Sequence, residues 1–222
     1  FSLSVSGSTV KNAVNGETLQ KYATATAGSS KLTFTGAGNY QYNLKDEFEY
    51  LYRSYTLETV FTLSELPANG KTVVPVGTYE TGGFALRVIG NGSNSANLHF
   101  AMINSDRSVS EVSVSSAIKA GTTYHVTATY DGANMKLYLN GTLVDTVAET
   151  RVMILPNIYA FNLTIGSDAN WDRQYMETGL LENAYKRGTG ELYMKGTVSV
   201  VNLYSRALTQ SEVTSSYQAH KD

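Results

Sequence analysis

Aromatic and charged side chains lie close together around the single tryptophan of the chain. Asp172 and Arg173 directly follow Trp171, and Tyr175 lies two residues further on. An aromatic ring can cover the apolar C–H face of a pyranose, while carboxylate and guanidinium groups fix its hydroxyls. The combination predicts a sugar-binding site. The alternative is that the Trp171 side chain packs back against its own loop and binds no ligand.

Oxygen-bearing side chains occupy alternate positions in the same stretch, at Asp168, Asn170 and Asp172. Ca²⁺ takes roughly six to eight oxygen ligands from carboxylates, amides and carbonyls. The stretch lacks the glycine and the distant glutamate of an EF-hand loop. We predict a calcium site here, with the alternative that these residues only form the turns of a polar loop.

A second group that suits sugar binding lies earlier in the chain. Tyr79 and Glu80 stand just before the pair Gly82-Gly83, where a turn at the edge of the fold is expected. An aromatic ring beside a carboxylate again fits a sugar, so we predict a second binding position here.

Patterns that would indicate catalysis are not evident. Glycoside hydrolysis needs two carboxylates flanking one bond, and the nearest pair, Glu47 and Glu49, is typical of a solvated acidic turn. His99, His125 and His220 show no pairwise spacing typical of metal ligands, and each is predicted to be structural or on the surface. With no local Ser-His-Asp set, we predict that the chain is not an enzyme.

The elements that position these groups are strands. Apolar and polar residues alternate with a period of two over residues 55–63, 109–114, 124–130 and 196–204. Asn140-Gly141 is a strong hairpin signal because both residues accept positive φ. Residues 124–147 therefore predict a three-stranded meander. In the last strand, strict alternation places Val198 with Asn202 and Tyr204, opposite Val201 and Leu203.

Two segments depart from this rhythm. Residues 167–195 form a long polar stretch, which is uncommon in a compact domain and usually functional or partly disordered. Near the end, Thr209 and Glu212 fit a capping box. We predict a short helix over about 210–218 that docks on the sheets.

Composition is typical of an all-β protein. Only 16% of the 222 residues are charged, 16 are Tyr, the net charge is −2 and Cys is absent. Without a basic stripe, nucleic acid is not expected as a partner. No apolar run approaches the roughly 20 residues of a membrane span, so no membrane insertion is expected.

Three segments carry a family resemblance. Residues 120–145 contain Tyr124-His125-Val126, a turn at Asp131-Gly132 and the run Leu-Tyr-Leu-Asn-Gly. Residues 163–166 and 196–213 follow in the expected order and spacing. Together they resemble the laminin G-like branch of the concanavalin A-like jelly rolls. Ser199 and Val200 stand where that family often carries Asp-Glu, so no role of those acids is carried over.

The resemblance implies a two-sheet antiparallel jelly-roll β-sandwich of roughly a dozen strands with one short C-terminal helix, as a single domain over 1–222. It implies a non-catalytic carbohydrate-binding module of a larger secreted or cell-surface protein, with Ca²⁺ as the one candidate cofactor. The alternatives are a protein–protein adhesion module or a structural accessory domain beside an enzyme. The expected partner is a glycan or a surface protein, with further domains covalently linked in the full-length protein.

Overall fold

A computed structural model describes residues 1–44, 48–78, 82–154, 162–168 and 192–221. The strands of the first half are β1 (Leu3–Ser6), β2 (Thr9–Asn12), β3 (Gln20–Ala23), β4 (Thr26–Gly28), β5 (Lys31–Thr35), β6 (Gly38–Asn43), β7 (Tyr55–Leu63) and β8 (Thr72–Gly77). Those of the second half are β9 (Phe84–Gly90), β10 (Ala96–Ile103), β11 (Val109–Ile118), β12 (Thr123–Tyr130), β13 (Asn134–Leu139), β14 (Thr142–Ala148), β15 (Asn162–Ile165) and β16 (Lys195–Tyr204). A 3₁₀ helix covers Phe48–Tyr50 and the helix α1 covers Gln210–His220.

Two antiparallel sheets of seven strands form a sandwich, which confirms the predicted jelly roll. Sheet 1 has the order β14-β13-β12-β7-β16-β5-β4, and sheet 2 has the order β11-β10-β9-β8-β15-β6-β3. β1 and β2 form a separate two-stranded ribbon. The described strands number sixteen rather than a dozen. Most of the additional strands lie in residues 1–30, where each is only three or four residues long and too short to establish a repeating pattern.

The space between the sheets is filled by the apolar face of each strand. Tyr55 of sheet 1 stacks on Phe84 of sheet 2 with ring centroids 5.3 Å apart, and Phe84 lies 5.8 Å from Phe100. All three side chains are fully buried. Aromatic pairs at these separations add to the stabilisation that comes from burial of their area. The core therefore ties the two sheets together.

The predicted meander is confirmed, because β12 pairs with β13 and β13 pairs with β14. Asn140 and Gly141 join β13 to β14 with φ values of 50° and 77°. Both lie in the left-handed region, which is the requirement for a two-residue hairpin turn.

Strict alternation fails in β16. The register against β7 shifts between Val198 and Val200, which marks a β-bulge. A bulge inserts one extra residue and reverses the alternation beyond it. The structure therefore places Val198, Val201 and Leu203 together in the core, and the predicted grouping of Val198 with Asn202 and Tyr204 is wrong.

Helix α1 packs on the outer face of sheet 1, as expected. Thr209 and Glu212 form the predicted capping box. Val213 is fully buried in a cluster with Tyr138 and Leu208. At 11 residues α1 is short, and no helix in the described part of the chain is long and apolar enough to cross a membrane.

A carboxylate lies buried beneath α1, where β7, β12 and β16 adjoin. Glu58 Oε1 accepts hydrogen bonds from His125 Nε2 at 2.8 Å and from the Ser216 hydroxyl. Its Oε2 accepts from Asn202 Nδ2 at 2.9 Å and from the Tyr204 hydroxyl at 3.0 Å. Burial opposes ionisation of Glu58, but these hydrogen bonds outweigh it and lower its pKa to about 2. The charge of Glu58 is thus matched by donors from two strands of sheet 1 and the helix.

Candidate functional site

A cleft of about 290 Å³ opens at one rim of the sandwich, and we call it the rim cleft. Its lining combines one aromatic ring, three charged side chains and a short apolar wall. The lining residues are Gly36, Glu65, Leu66, Pro67, Ala68, Lys71, Val73, Tyr193 and Lys195.

Backbone hydrogen bonds from both sheets fix the segment that carries Tyr193. The N–H of Gly36 donates to the carbonyl of Met194 at 3.1 Å, and the N–H of Ser64 donates to the carbonyl of Lys195 at 3.0 Å. On the side of sheet 2, the N–H of Val74 donates to the carbonyl of Leu192 at 3.0 Å. Residues 192–195 therefore bridge the two sheets, so the cleft wall rests on rigid elements.

The rim cleft contains charged groups of both signs. Lys195 Nζ lies 2.8 Å from Glu65 Oε1, with the two side chains 46% and 60% exposed. Lys71 adds a second cation to the lining, beside the half-buried Tyr193. An aromatic ring beside ammonium and carboxylate groups can cover a sugar face and bind its hydroxyls.

A larger pocket, of about 370 Å³, lies by β3, β6 and β15. Its aromatic residue, Tyr42, is only 3% exposed. The Tyr42 hydroxyl accepts from Asn12 and Asn15 at 3.0 and 2.9 Å and donates to Glu17 at 3.0 Å. A ring held in this way offers no open face for stacking, so the rim cleft is the better candidate.

The sequence-predicted sugar ligands lie outside the described residues: Trp171, Asp172, Arg173 and Tyr175, together with Tyr79 and Glu80. The last described residues before these two groups, Asp168 and Thr78, lie at different places in the fold. Asp168 follows β15 beside the rim cleft, since the N–H of Met194 donates to the carbonyl of Gly166 at 2.9 Å. Thr78 lies at the opposite end of β8 from Lys71, roughly 20 Å along the strand.

Of the three predicted calcium ligands, only Asp168 lies within the described residues; Asn170 and Asp172 do not. Carboxylate and amide oxygens are the donors that Ca²⁺ prefers. This donor set fits calcium chemically, and the site stays a prediction.

Two of the three histidines meet one buried carboxylate. His125 is buried and pairs with Glu58, as a structural histidine would, and His220 Nδ1 lies 3.8 Å from Glu58 Oε1. Glu58, His125 and His220 place their ligand atoms within 4.8 Å of one another. Spacing along the sequence gave no sign of this proximity.

His99 lies elsewhere, on β10 of sheet 2. Its Nδ1 lies 2.6 Å from Glu111 Oε1, and Arg87 contacts the other carboxylate oxygen. The hydrogen bond with His99, together with the charge of Arg87, outweighs burial and lowers the pKa of Glu111. His99 is thus part of a surface ion-pair cluster, as a structural histidine would be.

Sequence patterns gave little indication of the rim cleft. Its residues come from segments around positions 36, 65–73 and 193–195, which are distant along the chain. The only available signal was Tyr193 itself, one of several tyrosines in the polar stretch 167–195.

Comparison with protein families identifies one match. The family model described as concanavalin A-like lectin/glucanases superfamily matches residues 36–214. The match spans all three segments that carry the resemblance. No curated protein matches the sequence.

Solved structures with the same fold include binding domains of botulinum neurotoxins. The receptor-binding domain of mosaic serotype C/D is 14% identical with a TM-score of 0.73, over 99% of this chain and 50% of that chain. The binding domain of neurotoxin DC in complex with SialylT is 14% identical with a TM-score of 0.72, over 98% and 50%. The serotype D ligand-binding domain in complex with N-acetylneuraminic acid is 14% identical with a TM-score of 0.70, over 99% and 50%.

At this identity the likeness concerns the fold alone. The chain spans about half the length of these binding domains.

Proposed function

The chain belongs to the concanavalin A-like lectin/glucanases superfamily, and on that premise we propose that it is a non-catalytic carbohydrate-binding module of a larger secreted or cell-surface protein. The observation that carries the proposal is the rim cleft, where Tyr193 stands beside Lys71, Lys195 and Glu65. Aromatic and charged groups that converge in a cleft on a rigid scaffold are typical of ligand sites.

The predicted loop residues extend this site. Three peptide units separate Trp171 from Asp168, so their Cα atoms can be at most about 11 Å apart. Asp168 follows the strand that is hydrogen-bonded next to Tyr193. We therefore include Trp171, Asp172, Arg173 and Tyr175 in one site with the rim cleft. Tyr79 and Glu80, which follow Thr78 at the other end of β8, belong to a separate position.

The rim cleft offers charged groups to a sugar. Lys195 and Glu65 place an ammonium group and a carboxylate at its edge, and such groups bind sugar hydroxyls. Two of the similar structures are domains in complex with SialylT and with N-acetylneuraminic acid. Sialylated glycans are for this reason the first ligands to test, followed by neutral glycans.

Calcium is part of the proposal, with Asp168, Asn170 and Asp172 as its ligands. A bound Ca²⁺ would neutralise carboxylates of the loop and order their oxygens. The side chains then remain in place to bind the glycan.

The test is the fluorescence of Trp171, the only tryptophan, titrated with sialylated and neutral glycans in calcium and again in EDTA. We expect a saturable shift. Tyr193→Ala should weaken binding roughly fivefold to tenfold through loss of aromatic contact, while Tyr193→Phe should bind as the wild type does. Tyr50→Ala is the matched control, because Tyr50 is 69% exposed and does not line the cleft.

Other outcomes would redirect the proposal. A shift that persists in EDTA argues against the calcium site but keeps the sugar site. A flat response in both buffers argues against sugar binding at Trp171 and favours adhesion to a protein or a purely structural module. A loss of binding in Tyr50→Ala equal to that in Tyr193→Ala argues against the rim cleft.

A further inference from the structure

The cluster beneath α1 contains three side chains of types that bind metal ions. Two imidazoles and one carboxylate converge where β7, β12 and α1 meet, and their rings and oxygens come from residues up to 162 positions apart. We propose that Glu58, His125 and His220 form a binding site for a divalent transition-metal ion, with Zn²⁺ as the best fit.

The distances support this proposal. His125 Nε2 lies 2.8 Å and His220 Nδ1 lies 3.8 Å from Glu58 Oε1. In a tetrahedral zinc site with bonds of about 2.0–2.2 Å, ligand atoms stand roughly 3.4 Å apart. The two observed separations lie on either side of that value. The third separation, between the two imidazole nitrogens, is within 4.8 Å. To bind the ion, the His220 ring has to turn from the Ser216 carbonyl, which its Nδ1 contacts at 3.0 Å, toward the Glu58–His125 pair.

The donor set selects the class of metal. Imidazole nitrogen suits Zn²⁺ and its neighbours in the first transition row, whereas Ca²⁺ and Mg²⁺ prefer oxygen alone. The site is therefore chemically distinct from the calcium site predicted in the loop after Asp168. Two imidazoles and one carboxylate are also a common three-ligand set for zinc with a fourth position open.

A supporting shell already holds the carboxylate in place. Asn202 Nδ2 and the Tyr204 hydroxyl both donate to Glu58 Oε2, at 2.9 and 3.0 Å. This arrangement keeps Oε1 turned toward the two histidines. Partners of this kind orient metal ligands and raise their affinity. The Ser216 hydroxyl also donates to Oε1, so the ion has to share that oxygen with it or displace it.

The route for the ion is on the side of the helix end. His220 is the last residue of α1 and its side chain is 33% exposed, while Glu58 and His125 are buried. Its ring stacks on that of His125 with centroids 6.0 Å apart and an interplanar angle of 17°. Rotation of this partly exposed ring at the helix end can open the site without unfolding the sheet. In the bound state the ion would link α1 to sheet 1.

The test uses the full chain with metal salts alone. Co²⁺ should bind at one ion per chain and give the visible absorption of a tetrahedral site, and Zn²⁺ should displace it. His220→Gln should lower the affinity at least about tenfold, because even supporting residues contribute roughly 10–100-fold. His99→Gln is the control, since His99 lies on sheet 2 and bonds with Glu111.

Thermal unfolding gives a second readout. Zinc at a free concentration about a hundred times the dissociation constant should raise Tm by roughly 5–10 °C in the wild type. His220→Gln should lose this rise in Tm. Its circular dichroism and its Tm without metal should stay near those of the wild type, which would show that the variant is folded.

Three results would overturn the proposal. The first is a wild-type chain that binds neither Co²⁺ nor Zn²⁺. The second is His220→Gln that binds as tightly as the wild type. The third is loss of binding in His99→Gln, which would place the metal on sheet 2. None of these outcomes depends on glycan binding.

Discussion

The Nε2 atom of His125 lies 2.8 Å from the Oε1 atom of Glu58, and both side chains are buried between sheet 1 and α1. The face of β7 and β12 that carries them alternates as a solvent-facing strand surface would. Because α1 covers that face, its carboxylate and imidazole become interior groups. The helix also supplies the Ser216 hydroxyl, which donates to Glu58. The same element α1 therefore covers the sheet and helps to stabilise the buried charge of Glu58.

Removal of the carboxylate should be costly. Glu58→Ala leaves the donors of the buried His125 and of the partly buried Asn202 and Tyr204 without their acceptor. We expect the free energy of unfolding to fall by about 2–4 kcal/mol, because several hydrogen bonds to a charged group are lost and their donors stay unsatisfied. Urea unfolding measures this value. Glu49→Ala, at an exposed position, should change it by less than about 0.5 kcal/mol, and an equal loss in both would contradict the prediction.

Acid should remove the same stabilisation. The pKa of Glu58 is lowered from 4.5 to about 2, so folding favours its ionised form. The resulting stabilisation, roughly 3 kcal/mol, is fully present above pH 4.5 and is lost as the pH falls toward 2.

The measurement is urea unfolding of the wild type and Glu58→Gln from neutral pH down to about 3. Other carboxylates whose pKa is also lowered, such as Glu149 and Glu212, titrate in both proteins and cancel in the difference. The stability difference between the two should shrink with acid. Parallel curves would show that Glu58 does not carry the effect.

The cap of α1 offers a prediction of smaller size. The Thr209 side chain accepts from the N–H of Glu212 at 3.3 Å, and the N–H of Thr209 donates to the Glu212 carboxylate at 2.8 Å. Thr209→Ala should lower the free energy of unfolding by about 1 kcal/mol. Ser215→Ala, at an exposed position inside the helix, should be neutral or slightly stabilising. A loss in Ser215→Ala as large as in Thr209→Ala would indicate a general effect on the helix and not a cap.

Local signals in the sequence predict local structure well. The Asn140-Gly141 turn, the alternation of β7 and β12 and the capping box at Thr209 were all recognisable, because each depends on residues near in sequence. The bulge between Val198 and Val200 was not recognisable from the sequence. Residues before and after a bulge each alternate regularly, but the residues after it point to the opposite face from the one that continued alternation predicts.

Contacts between distant segments explain the rest. Glu58 and His125 are 67 positions apart, and nothing near either residue indicates that they meet. The rim cleft likewise joins Lys71 to Tyr193 and Lys195 only through the order of strands in two sheets. Pairwise spacing along the chain carries no information on such clusters, so the proximity of His125 and His220 to Glu58 could not be predicted from the sequence.

Gly36 connects the stability of the fold with the rim cleft. Its φ is +88°, and a Cβ built there would lie 2.8 Å from Cε of Lys195. Gly16 has a similar φ of +79° with nothing within 4 Å. Alanine at either position carries the cost of the left-handed region, about 1–2 kcal/mol. Only Gly36→Ala also displaces Lys195, which pairs with Glu65 at 2.8 Å.

We therefore expect Gly36→Ala and Gly16→Ala to lose similar stability in urea, because the Lys195 side chain is flexible enough to move aside. Affinity for an acidic glycan should fall in Gly36→Ala alone, since the displaced ammonium group lines the rim cleft. Urea unfolding reports the effect of each substitution on the stability of the fold, and glycan affinity reports its effect on the rim cleft. Equal glycan affinity in the two variants would show that Lys195 does not contact the ligand. A much larger loss of stability in Gly36→Ala would show that the contact with Lys195 cannot relax.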